Sequence, residues 1–155
     1  MSAKPVFLQE NMLDWFSQLN DNTFPLSNDG GIMTLLAPKF ISGSTEERTA
    51  CFSFPVQNWQ LNPENTLHGG ILATYLDTAF GITCHYFAQK EMVCTINMQT
   101  TFLKPLFEGN NTLCTIKINS LGKNIVNMSA EARREHDDVL AATATATFMI
   151  IHPSR

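Results

Sequence analysis

The residues best suited to chemistry are the segment Asn62-Pro63-Glu64-Asn65-Thr66-Leu67-His68-Gly69-Gly70 and the carboxylate of Asp77. Asp77 is the only charged residue in the run from Ile71 to Ala88, which is otherwise almost wholly apolar or small. A carboxylate on such a helix is costly unless it is paired or used. The Asn, His and two Gly just upstream suit a helix N-terminus that receives a polar ligand. Free N–H groups there, with the helix dipole, stabilise an oxygen that carries or develops negative charge. Gly69 and Gly70 have no side chains, so a carbonyl can approach the backbone closely enough to form an oxyanion-type contact. Asp77 is then a general base for water or a direct nucleophile, and Asn62 and His68 donate further hydrogen bonds or fix the loop.

Spacing sharpens this picture. Asp77 lies eight residues beyond Gly69, about 12 Å along the axis at 1.5 Å per residue. One carbonyl cannot easily touch both within a single chain. If both act on it, the carboxylate comes from a second, antiparallel helix, and the expected assembly is a two-fold homodimer with sites at the interface.

The elements that must position these groups can be read from periodicity. Phe7 to Leu19 places Leu8, Met12, Trp15, Phe16 and Leu19 at spacings of three and four, predicting an amphipathic helix. Asn20 to Gly31 reads as a loop. Strands are predicted over Ile32–Phe40 and Thr49–Val56, with a turn at Ser42-Gly43-Ser44. Across Met92 to Leu103 the period is two: Cys94, Ile96, Met98 and Phe102 face one way, Thr95, Asn97, Gln99 and Thr101 the other. Thr112–Leu121 follows, and Ile125–Glu135 and Val139–Ile151 form a hairpin around His136-Asp137-Asp138. Ala130, Ala132, Ala142, Ala144 and Ala146 let a helix lie close to that sheet. The expectation is one domain over 1–155: an α+β fold in which an antiparallel sheet of five or six strands encloses a helix apolar on all sides.

Bulk properties exclude several classes. Hydrophobic residues make up 44% of the 155 and charged ones 15%, which argues for an extensive interior and against disorder. A net charge of −4 without a basic run argues against nucleic-acid binding. A membrane span over Gly69–Ala88 would put Asp77 at mid-bilayer and is rejected on that cost. Cys51, Cys84, Cys94 and Cys114 show neither C-x-x-C spacing nor close His partners, so neither a disulfide framework nor structural zinc is expected. Met1 to Pro5 lacks a basic segment followed by an apolar one, so no signal peptide is expected, and a cytoplasmic protein with reduced thiols is the economical expectation.

His68-Gly69-Gly70 followed by Asp77, with Asn62 six residues before His68, closely resembles the hotdog-fold acyl-CoA thioesterases. The nearest branch is the phenylacetate-degradation type, related to the 4-hydroxybenzoyl-CoA thioesterases. Thr95-Ile96-Asn97-Met98, Phe102-Leu103-Lys104-Pro105, Leu121-Gly122-Lys123 and the Ala142-to-Phe148 strand extend the similarity over roughly residues 30–151. The resemblance implies a hotdog fold and thioester hydrolysis to a free acid and coenzyme A. It implies that the Gly69 N–H polarises the carbonyl and that Asp77 of the neighbouring subunit is base or nucleophile. Thr95 would orient the water or the carboxylate, and Asn62, His68 and Gly70 would shape the carbonyl corner. Lys104 and Lys123 would be the cations for coenzyme A, ahead of Arg133 and Arg134. The implied assembly is a homodimer or a dimer of dimers, and the implied cofactor none, coenzyme A entering only with the substrate. Many relatives carry Gly where this chain has Asn65, which tolerates positive φ better than most residues.

Two other activities fit the same fold. A dehydratase or hydratase needs a His and a carboxylate placed for proton transfer on the acyl chain, and His85, eight residues after Asp77, does not match that spacing. A non-catalytic acyl-CoA sensor usually carries a regulatory segment, and the residues before the first strand hold only one good helix.

Overall fold

The computed structural model describes residues 7–153. Helix α1 (Gln9–Ser17) lies within the predicted 7–19 span. Its Met12 and Phe16 are fully buried, with Phe16 packed on Phe40 and Phe52 at ring separations of 5.2 Å. Trp15 is half-buried at the edge of the same packing.

Ile32–Phe40 is not a single strand. Helix α2 (Ile32–Leu36) forms first, and strand β1 (Lys39–Ser44) follows. Gly31 supplies the extended N-cap, Met33 and Leu36 bury one face three residues apart, and Ala37 closes the helix in the left-handed region at φ 49°. Pro38 follows that cap and cannot continue the helix. The chain does not turn at Ser42–Ser44 either; β1 runs through them and the turn is at Thr45–Arg48 before β2 (Thr49–Pro55).

The long helix α3 (Gly69–Phe87) is followed by β3 (Met92–Phe102), β4 (Asn111–Leu121), β5 (Ile125–Arg134) and β6 (Leu140–Ile151). Six strands form one antiparallel sheet in the order β1-β2-β4-β5-β6-β3. The sheet wraps α3, and the alanines of β5 and β6 are buried in the core.

Enclosure of α3 by the chain's own sheet is incomplete. Leu72, Tyr75, Leu76, Ala79, Phe80, Thr83 and Phe87 are buried. Gly70 is exposed, and Ala73, Thr74, Asp77, Thr78, Gly81 and His85 remain half-open. Their spacing of three and four is a single stripe down the helix, so the apolar helix has one small-residue face not covered by its own sheet.

Strand β3 departs from strict period two. Thr95 pairs with Phe148 and Asn97 with Thr147, leaving Ile96 as a bulge. The extra residue flips the alternation. Thr95 therefore shares the helix-facing side with Met98, Thr100 and Phe102 rather than opposing them, because Phe148, Ala146, Ala144 and Ala142 across the pair are buried.

Candidate active site

The first half of the site is the corner at the α3 N-terminus. Asn62 Oδ1 accepts from the backbone N–H of Glu64 (3.1 Å) and Thr66 (3.0 Å), and Asn62 N–H donates to the Thr66 carbonyl at 2.8 Å. One side chain thus closes the loop on itself. Asn65 takes φ 59°, the left-handed geometry expected of that position. The His68 N–H donates to the Gln60 carbonyl at 2.9 Å, and His68 is the N-cap of α3, its Nδ1 accepting from Gly70 N–H at 2.9 Å. In that bond Nδ1 is the acceptor, and the ring caps the helix. Gly70 N–H is consumed by it. Among the described residues the Gly69 N–H has no acceptor, as the first helical N–H of a free terminus should.

Beneath this corner lies a buried polar pair that sequence reading missed. Gln60 is 1% exposed and its Oε1 accepts from the Gln57 N–H at 2.9 Å and from the Tyr75 hydroxyl, which also lies 3.0 Å from the Pro55 carbonyl. Burial, foremost, pushes the Tyr75 phenol above its usual range, which keeps it a donor. Gln60 and Tyr75 tie the end of β2, the loop and α3 together. A Gln in a short apolar-polar run carries no signal of this.

The second half is two turns along α3. Thr95 Oγ1 donates to Asp77 Oδ1 at 2.8 Å. The bulge at Ile96 makes that contact. Neither Thr74 nor Thr78 satisfies the carboxylate; the Thr74 hydroxyl donates to the Gly70 carbonyl instead.

The halves open into separate clefts. Gly69 lines a cleft of about 220 Å³ with Leu72, Phe102 and Lys104. A Cβ built on Gly69 would sit 3.5 Å from the Phe102 ring. Asp77 and Thr95 line another, about 560 Å³ and mainly apolar. Lys104 is therefore beside Gly69, whereas Lys123 sits near the far end of α3, in a third cleft with Arg48 and His152. Arg133 and Arg134 are committed to Glu131 (3.0 Å) and Asp137 (2.8 Å).

Other chemistries find less support. His85 lies in the Asp77 cleft, yet eight residues separate them, about 12 Å along the axis, too far for both to act on one acyl carbon. Its Nδ1 is 2.9 Å from the Glu91 carbonyl. All four cysteines are free; burial pushes the Cys84 thiol up to about 12 and raises Cys51 and Cys114 as well, so these three are poor nucleophiles. Among the described residues no group of three metal-ligating side chains occurs, and no helix is long and apolar enough to cross a membrane.

Residues 64–141 match the thioesterase superfamily. A medium/long-chain acyl-CoA thioesterase, YigI, of Salmonella typhimurium is 28% identical over 109 residues, 61% of this chain and 67% of that protein. In fold, the chain is similar to the PaaI protein from the phenylacetic acid degradation operon of E. coli, with a TM-score of 0.73 at 20% identity over 90% of this chain and 98% of that one. A thioesterase from Haemophilus influenzae superposes with a TM-score of 0.74 at 20% identity, covering 98% and 96%. The chain belongs to the thioesterase superfamily and is a thioester hydrolase with the hotdog fold.

Proposed function

We propose that this protein hydrolyses acyl-CoA, and that each active site combines Gly69 of one protomer with Asp77 and Thr95 of another. The observation that carries the reading is the pair of half-sites in one chain: an N–H with no acceptor in one cleft, a carboxylate held by Thr95 in another. The Gly69 N–H holds the thioester oxygen as negative charge develops on it. Thr95 occupies Oδ1 of Asp77 and leaves Oδ2 for the substrate side. From there the carboxylate takes a proton from the attacking water, or itself attacks the carbonyl carbon. In the first case the carbon–sulfur bond breaks as that proton passes to the departing sulfur; in the second it breaks to leave an anhydride on Asp77, which water hydrolyses to the free acid and the carboxylate while its proton goes to the coenzyme A thiolate.

Two features support the partner. Strand β3 is an edge of the sheet, and Met92 (65%), Ile96 (47%) and Phe102 (53%) stand exposed on or beside it. An unpaired edge with apolar side chains is a template for another strand. The half-open stripe of α3 lies on the same side, since Asp77 on that stripe touches Thr95 of β3. A two-fold partner pairing both would cover them and carry each Gly69 toward the other chain's Asp77.

Lys104, lining the Gly69 cleft, is the coenzyme-side cation in this arrangement, and Lys123 with Arg48 forms a second candidate for the phosphates. The hotdog fold shared with phenylacetate-degradation proteins supports this reading. The test is thiol release from a panel of acyl-CoAs, run with Asp77→Asn beside the wild type. Turnover abolished in the variant is expected; wild-type rates in it would remove Asp77 from the mechanism.

A further inference from the structure

Tyr75 is a fully buried phenol on α3 to which thioester hydrolysis gives no task. It lies two residues before Asp77, about 200° around the helix at 3.6 residues per turn. Its side chain therefore points into the core and away from the half-open stripe. It can neither touch a thioester nor pass it a proton, and burial, above all, keeps the phenol protonated.

What the hydroxyl reaches is Gln60. It donates to Gln60 Oε1, which also accepts the Gln57 N–H at 2.9 Å. The main chain of the same Gln60 holds the other side of the corner, its carbonyl accepting the His68 N–H at 2.9 Å. Gln60 thus grips the start of α3 twice: one residue before Gly69 through its backbone, and six residues after it through its side chain. Between the two grips, the His68 carbonyl accepts from the Ile71 and Leu72 N–H groups at 2.9 and 3.0 Å. That carbonyl fixes the His68–Gly69 peptide plane, and in a trans peptide the Gly69 N–H points the opposite way. Any rocking of the first turn against the loop therefore swings the Gly69 N–H.

Packing does not need the hydroxyl. The Tyr75 ring stacks on Phe54 with centroids 4.7 Å apart and 14° between the planes, and a phenylalanine would keep that stack. Burying a phenol and an amide costs desolvation that their hydrogen bonds largely offset, and an apolar pair of the same shape can be as stable. What the polar pair adds is a directional link between loop and helix. We infer that Gln60 and Tyr75 are positioning residues for the reaction: together they hold the first turn of α3 so that the Gly69 N–H meets the thioester oxygen as charge develops on it. The inference rests on the reading of Gly69 as that donor. A donor of this kind is effective only within a narrow range of distance and angle, which is why its mounting matters.

A double-mutant cycle tests it. kcat, KM and the urea midpoint are measured for Tyr75→Phe, Gly69→Pro and the double variant, on an acyl-CoA that the wild type hydrolyses. Tyr75→Phe alone should lower kcat about tenfold with KM unchanged, part of the roughly hundredfold that one oxyanion donor carries. The Gly69→Pro background has no N–H left to position, so there the same change should move kcat by less than about twofold. The urea midpoint should fall equally in both backgrounds, because a stability effect of the hydroxyl does not depend on Gly69 whereas positioning does. Gln60→Met keeps the chain length without the amide; it should repeat the pattern, and it carries the test if Tyr75→Phe does not fold. Equal kcat losses in both backgrounds, a loss confined to KM, or wild-type kcat in both Tyr75→Phe and Gln60→Met would overturn the inference while leaving hydrolysis and the Gly69 donor standing. Wild-type turnover in Gly69→Pro would instead remove the donor, and the inference would fall with it.

Discussion

The corner at Asn62–Gly70 and the Asp77–Thr95 pair are built in opposite ways. The corner is local: its main hydrogen bonds connect residues between Gln57 and Tyr75, and one Asn side chain closes its loop. Its one distant backbone bond among the described residues joins the Leu67 N–H to the Leu106 carbonyl at 2.8 Å. Asp77 and Thr95 are brought together across 18 residues by a strand that must pair with β6 and bulge at Ile96. In the corner the Gly69 N–H is left without an acceptor among the described residues. Asp77 is half-open in the single chain and lies in a different cleft. The contrast teaches that a donor can be encoded in a short motif, whereas a working carboxylate depends on register and on what covers the open stripe.

Substitutions can break this comparison at either half. Asp77→Asn should have the largest effect, lowering kcat by about 10³-fold, within the range for loss of a general base or nucleophile. Gly69→Pro should follow, at about 10²-fold in kcat, the loss of one oxyanion donor. Proline removes the N–H while suiting the first helical position, and His68 at φ −60°, ψ 132° already has the extended geometry that precedes proline. Far-ultraviolet circular dichroism should show the fold intact in both. Thr95→Val should cost about tenfold in kcat/KM, the value of a hydrogen bond to a charged group, and Thr95→Ser should restore most of it. Smallest, Lys104→Ala should raise KM a few-fold and Lys123→Ala less, consistent with exposed cations on an anionic ligand; a larger effect at Lys123 would move the phosphates to the Arg48 cleft.

What the sequence made legible follows the same division. The glycine pair at the helix start, the loop-fixing Asn62 and the positive φ at Asn65 are local signals and lie where the motif put them, while the capping role of His68 comes from the fold. The hairpin of β5 and β6 was equally readable from its alternating alanines. Thr95 was read through the family resemblance, while strict alternation put it on the wrong face. A bulge is decided by the partner strand, here by Thr95 meeting Phe148 and Asn97 meeting Thr147, and no residue of β3 announces it. Ile32–Leu36 failed for the converse reason. A five-residue apolar run fits strand or helix, and the glycines before it and the left-handed Ala37 after it decided for helix. The Gln60–Tyr75 pair was invisible because both residues are ordinary until the fold buries them.

The central claim is that one site needs two chains, and subunit complementation tests it most directly. Asp77→Asn and Gly69→Pro proteins, each inactive alone, would be unfolded, mixed in equal amounts, refolded together and assayed for thiol release. With random pairing, half of the dimers are mixed and each holds one intact site, so about a quarter of the wild-type rate should return. A mixture as inactive as its components, with mixed dimers demonstrably present, would place Gly69 and Asp77 in one protomer's site and contradict the account.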